Sequence, residues 1–171
     1  GLLDPIEYNP GGLAVVWSEE NSRDALYAAL ERRETYGTSG PRMRVRFFGG
    51  WDLPGDLCRS SDFVERGYAR GVPMGGDLPQ REGRGAPVFA VSALRDPGAP
   101  EHPGGLLQRV QIVKVWVDEG ETREAVFDVA GDSENGATVD LDSCRVVGEG
   151  FESLCTVWRD PAFEVDQPAL Y

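Results

Sequence analysis

Apolar positions recur at helical spacing near the start of this chain and alternate with polar ones, in short runs, over most of the remainder. Leu13-Ala14-Val15-Val16-Trp17 is a brief apolar run, after which Ser18 to Asn21 offer N-cap candidates and Glu19, Glu20 and Asp24 stand where acids favour a helix dipole. A helix is predicted over 21–33, with Ala25, Leu26, Ala29 and Leu30 forming one narrow apolar stripe. Gly37-Thr38-Ser39-Gly40-Pro41 breaks that pattern, and Met43, Val45 and Phe47 then alternate with Arg42, Arg44 and Arg46 in the manner of a half-buried strand. The three arginines share one face, which reads as solvated.

Residues 49–86 are rich in Gly, Pro and Asp, and a helical turn is expected near 61–66. Strands are predicted over 87–93, 107–117 and 124–129, with further ones over 136–141 and 154–158. The run from Leu107 to Val117 carries apolar residues on both faces, so it is expected to be a central strand, with Lys114 on one face. Asp118-Glu119-Gly120-Glu121 is a polar connection of hairpin length, so the runs on either side should pair antiparallel. The fold class expected is mainly β (α+β): an antiparallel β-sandwich-like domain preceded by one helix foreign to such a sandwich.

Charge alters this picture only by exclusion. The net charge is −12 over 171 residues, distributed as −4 over 1–40, +2 over 41–85 and −10 over 86–171. Such an acidic surface disfavours nonspecific nucleic-acid or anionic-membrane binding, and no run is long and apolar enough for a membrane span. Gly 22 and Pro 12 point to long ordered loops. Of the three cysteines, Cys144 and Cys155 flank Gly148-Glu149-Gly150 and are expected to form a disulfide, whereas Cys58 stands in a separate loop. A bridge of that kind belongs to an oxidising compartment, periplasmic or extracellular.

Candidate chemistry is sparse. Thr38 and Ser39 have no neighbouring His base and read as turn residues, and Glu19-Glu20 read as N-terminal helix acids. His102, set among prolines and glycines, reads as a surface residue, and three Cys with one His give no zinc spacing. Gly71-Val72-Pro73-Met74-Gly75-Gly76-Asp77 reads as a tight turn in which Gly75 and Gly76 permit positive φ. Trp17, Trp51, Trp116 and Trp158 suit either a carbohydrate platform or, the preferred reading, the core.

Several long blocks resemble one family: Gly11 to Asn21, Leu30 to Arg42, Arg44 to Trp51, Gly67 to Leu78, Arg109 to Lys114 and Thr156 to Pro161. They resemble the C-terminal part of a widespread uncharacterised bacterial family related to the polymerase-and-histidinol-phosphatase (PHP) metal hydrolases. The resemblance implies an upstream distorted β/α barrel holding a divalent metal (Mn, Zn or Fe) on His and Asp ligands, none of which stands in this segment. Residues 1–40 are then the C-terminal remnant of that barrel, and 41–171 a β-rich accessory domain cut short at its last strand. The segment is expected to lack catalytic residues and cofactors of its own within a hydrolase of phosphoester, ester or carbamate-type bonds. The alternative is a β-sandwich ligand- or protein-binding module with no hydrolase role. Substrate-facing residues at the barrel mouth are expected to be Arg32, Arg33, Tyr36, Thr38, Ser39 and Arg42, with a guanidinium holding a phosphate or carboxylate. The partners expected are the upstream barrel and, through the exposed helix stripe, a second copy of the chain.

Overall fold

A computed structural model describes residues 11–80, 85–143 and 145–171. The described chain begins with β1 (Leu13–Val16), α1 (Arg23–Glu31) and β2 (Thr35–Thr38), continues with β3 (Arg44–Gly50), and then passes a 3-10 turn at Leu57–Arg59 to reach α2 (Phe63–Arg70) and β4 (Val72–Pro73). After β5 (Val88–Leu94) come a small ribbon of β6 (Gly98–Ala99) and β7 (His102–Pro103), and the long strands β8 (Arg109–Asp118) and β9 (Glu121–Gly131). The short pair β10 (Thr138–Asp140) and β11 (Arg145–Val147) precedes β12 (Ser153–Arg159) and β13 (Ala169–Leu170). The protein is mainly β, its sheets are antiparallel and open, and the described residues include two α-helices.

The predicted helix is present but starts later than its acids suggested. Ser22, not a residue of 18–21, is the N-cap, and its Oγ accepts from the Ala25 amide at 3.2 Å. The stretch 49–86 contains the 3-10 turn, α2 and β4, and α2 runs longer than the single turn expected near 61–66. β8 and β9 pair antiparallel as their pattern required, and β8 lies between β9 and β13. Their connection narrows to Glu119 and Gly120, both at positive φ (49° and 83°), the turn geometry that matches strand twist.

The larger sheet has the order β12-β5-β3-β4. Phe48, Ala90 and Val157 are cross-strand partners on one face, where Leu53, Leu57, Val88 and Phe63 join them in the core. α2 lies so close there that a Cβ on Gly67 would fall 2.6 Å from the Phe48 ring. Cys58, in the 3-10 turn, is bonded to Cys155 of β12 (S–S 2.05 Å), which fixes the turn to this same face. The expected Cys144–Cys155 bridge is thereby corrected. Nearness in sequence favoured Cys144, but Cys155 projects from its sheet toward the layer that carries Cys58; Cys144 lies outside the described residues.

Gly49, Phe89 and Trp158 share the opposite face. The β13-β8-β9 sheet covers part of it, with Phe127 packed on Trp158 (5.0 Å between centroids) and Tyr171 on Phe89 (4.3 Å). The buried side of β8 is the one that carries Lys114, whose Nζ donates to Asp160 Oδ2 at 2.8 Å and to the Ala162 carbonyl at 2.6 Å. Asp160 also accepts from the Tyr171 hydroxyl and from the Ala162 amide, and its own amide reaches the Pro87 carbonyl. Burial pushes the Asp160 carboxyl up, but hydrogen bonds from Lys114, Tyr171 and Ala162 with the Lys114 charge outweigh it and leave it below the usual carboxylate range.

Two outcomes are expected. Non-reducing peptide mapping should recover a Cys58–Cys155 linked peptide, and Cys58→Ala with Cys155→Ala should cost about 2–4 kcal/mol of unfolding free energy. Because the folded Asp160 carboxyl titrates below its unfolded value of about 3.9, its contribution is complete above that pH and fades as pH falls through the folded value. Asp160→Ala, which strands the buried Lys114 ammonium, should cost roughly 3–5 kcal/mol at neutral pH in denaturant titrations and flatten the acid limb of the stability curve.

Candidate functional site

Two features position the site. The first is a buried charge cluster joining the β1-α1-β2 unit to the main sheet. Glu34, only 3% exposed, accepts from the Tyr68 hydroxyl and lies 3.5 Å from Arg46 and 3.6 Å from Arg32. The Arg46 guanidinium stands 3.4 Å over the Trp17 ring and donates to Tyr68 at 3.0 Å, while Trp17 Nε1 donates to the Val45 carbonyl at 2.9 Å. Burial, then the Glu34 hydrogen bond, pushes the Tyr68 phenol above its ordinary value. Arg46 is therefore not on a purely solvated face: Arg44 and Arg46 alternate along β3 while Arg42 precedes it, and Trp17 and Glu34 close over Arg46.

The second feature is a groove of about 850 Å³. Its floor is the part of the Gly49/Phe89 face that the smaller sheet leaves uncovered, and its walls are the loop 72–80 and the segment 163–171. Phe47 stacks on Phe89 at 5.5 Å with an interplanar angle of 8°, and Trp51 meets Phe163 edge-on at 6.0 Å. Trp51 is held by its Nε1, which donates to the Pro79 carbonyl at 2.9 Å. At the lip, Arg33 adopts a left-handed backbone (φ 61°) and pairs with Asp77 at 3.4 Å. Gly75, at φ 83°, lies so close that a Cβ there would sit 2.2 Å from the Arg33 carbonyl oxygen.

Of the residues expected to face a substrate, Arg33 alone lines this groove. Arg32 reaches back to Glu34, and the Tyr36 hydroxyl donates to the Met43 carbonyl at 2.8 Å. Thr38 Oγ1 accepts from the Gly40 amide, Ser39 is exposed, and the Arg42 amide donates to Asp96 at 2.7 Å, a bond that with one from Gly98 holds the Asp96 carboxyl below its usual range. The structure spreads these side chains from the end of α1 along β2 and its following turn and does not gather them around one concavity. Sequence reasoning missed Phe47, Phe89, Phe163 and Tyr171 as neighbours and placed Trp51 in the core; it lines the groove half-buried. No local signal marked this convergence, which depends on the segment after β12 folding back through the Lys114–Asp160 bridge.

Gly75 has the positive φ expected of it, whereas Gly76 does not. His102 is exposed on β7. Among the described residues no three His, Cys, Asp or Glu side chains converge in a way that would hold a metal, so the donor set described does not fit one. No described helix is long and apolar enough to cross a membrane.

Fold and site together define a mainly β protein with a short β-α-β unit locked to its main sheet and an aromatic groove beside that junction. The chain belongs to the family described as Protein of unknown function (DUF3604), which matches it over residues 2–171. No curated protein and no solved structure matches it.

The lip can be tested directly. Gly75→Ala forces a Cβ against the Arg33 carbonyl in a left-handed backbone and should cost about 1–3 kcal/mol. Trp51 fluorescence should report a loosened groove in that variant, while Gly55→Ala, with open space around its Cβ, should leave it unchanged.

Proposed function

We propose that this chain is the C-terminal region of a metal-dependent hydrolase of phosphoester, ester or carbamate-type bonds. In this reading the metal and its ligands belong to an upstream PHP-like barrel, and α1 is the last helix of that barrel. The β-rich remainder is a sandwich-like accessory domain that holds, and does not catalyse. The carrying observation is where the resemblance blocks fall. They supply Trp17, Glu34 and Arg46 of the buried cluster, Arg33 and Gly75 of the groove lip, and Lys114 and Asp160 of the buried bridge. A resemblance carried by contacts that hold the architecture together is more specific than one scattered over the surface.

Two further features support the reading. α1 leaves Tyr27 (63% exposed) and Leu30 (54%) uncovered while Ala29 is buried, an outward apolar edge suited to a preceding domain. The Cys58–Cys155 disulfide suits export to the periplasm or the extracellular space.

The longer protein, assayed on aryl phosphates, aryl esters and carbamates with added Mn²⁺, Zn²⁺ or Fe²⁺, should turn over at least one of them and lose activity on chelation. The segment alone should be inert under the same conditions. Turnover by the isolated segment with added metal, or inactivity of the longer protein with every metal, would overturn the proposal.

A further inference from the structure

Every residue of the β8–β9 hairpin, from 109 to 131, is described, and its two faces differ in kind. Ile112 and Lys114 are buried on the inner one. The register places Val113, Val115 and Val117 of β8, Val126 of β9 and Leu170 of β13 together on the outer one. There Leu170 is 74% exposed, Val117 65%, Val126 53% and Val113 43%. Apolar side chains that neighbour one another across the whole three-stranded sheet form a contiguous stripe, which marks an interaction surface where single exposed hydrophobes do not.

Acids border the stripe. Glu124 stands opposite Val115 on the same face, and Glu119 and Glu121 lie at the hairpin end beyond Val117. Asp118 and Asp128 are engaged by Arg123 at 3.9 Å and by Arg109 at 3.7 Å, whereas none of the three glutamate side chains pairs with a cation among the described residues. The hydrolase reading makes no use of this face.

Shape and charge select the occupant. From Val113 to Val117 the stripe runs about 13 Å along β8, and across the strands it is about 10 Å wide, which is the footprint of two to three turns of a helix. A strand added at the free edge of β9 would leave Leu170, on the far side of β8, uncovered. A two-fold contact with a second copy sets the same patch against itself, glutamate facing glutamate, and an anionic bilayer is repelled in the same way.

We propose that the outer face of the β13-β8-β9 sheet docks a basic amphipathic helix of a partner chain. Its apolar side chains cover the stripe of Val113, Val117, Val126 and Leu170, and its lysines or arginines meet Glu119, Glu121 and Glu124. Burial of the stripe supplies the affinity, while the free carboxylates orient the helix and speed its encounter with the sheet.

The test is fluorescence anisotropy of the full chain with a labelled amphipathic peptide of leucine and lysine, about eighteen residues long so that it holds a helix. The peptide should saturate with a Kd below about 100 μM at low salt. Val113→Thr with Val126→Thr, and separately Leu170→Ser, are exposed substitutions that leave the fold intact, and each should weaken binding about fivefold or more. Glu119→Gln with Glu121→Gln and Glu124→Gln should weaken it about tenfold and flatten its salt dependence. A peptide in which serine replaces every leucine should bind at least about tenfold more weakly, and one in which glutamate replaces every lysine should not bind. The proposal is overturned if the leucine–lysine peptide does not saturate in that range, if the serine peptide binds as tightly, or if either apolar variant leaves binding unchanged. It is also overturned if sedimentation shows a dimer that Val117→Asp abolishes, which would assign the face to a second copy.

Discussion

Lys114 and Asp160 lie 46 residues apart, and both are almost wholly withdrawn from water. A buried ammonium and a buried carboxylate are each costly alone, so each requires the other, together with hydrogen bonds for the remaining protons and lone pairs. That requirement decides which side of β8 turns inward. It also fixes how the smaller sheet sits on the larger one and brings the chain after β12 back across Phe89 through the Tyr171 hydroxyl. The Asp160 amide bond to Pro87 extends the constraint to the edge of β5. The groove wall at 163–171 is a consequence of this bridge, since β13 contributes only the short pairing of Ala169 and Leu170 with β8.

A second buried charge does comparable work at the other end of the main sheet. Glu34 follows α1 directly and meets Arg46 of β3 and Tyr68 of α2, while Trp17 roofs the guanidinium. The β1-α1-β2 unit is therefore not a loosely tethered appendage, although its residues read as foreign to the β body that follows. The same attachment places Arg33 against Gly75 and so completes the groove lip. Stability and the candidate site thus share contacts, which is why residues expected at a substrate mouth are found in structural contacts: Tyr36 and Thr38 hold the backbone of Met43 and Gly40, and Arg32 pairs with the Glu34 carboxylate.

The strands and the β8–β9 hairpin were legible because their signals are local. Alternation over a few residues identifies a half-buried strand, and Glu119-Gly120 supplies the left-handed turn that joins two of them. α1 was legible from its apolar spacing, but its N-cap is Ser22, one residue beyond the Ser18 to Asn21 stretch expected to supply it. The inner face of β8 was not legible. Val110, Ile112 and Trp116 share their side with a lysine, while Val113, Val115 and Val117 share theirs with Gln111, so hydrophobicity alone does not separate the two.

The sequence by itself determined the mainly β character, the position of the longer strands β3, β5, β8, β9 and β12, the β8–β9 hairpin and the strong negative charge, because each depends on residue type and near-neighbour spacing. Tertiary structure alone decided the partner of Cys155, the enclosure of Arg46, the inward turn of Lys114 and the convergence of Phe47, Phe89 and Tyr171 on one groove. Each of these is a contact between distant segments. Cys58 and Cys155 are separated by 97 residues, and no local pattern encodes which of several chemically equivalent groups will face another across such a span. That choice is made by packing, where a buried charge or thiol must find its partner or remain unsatisfied.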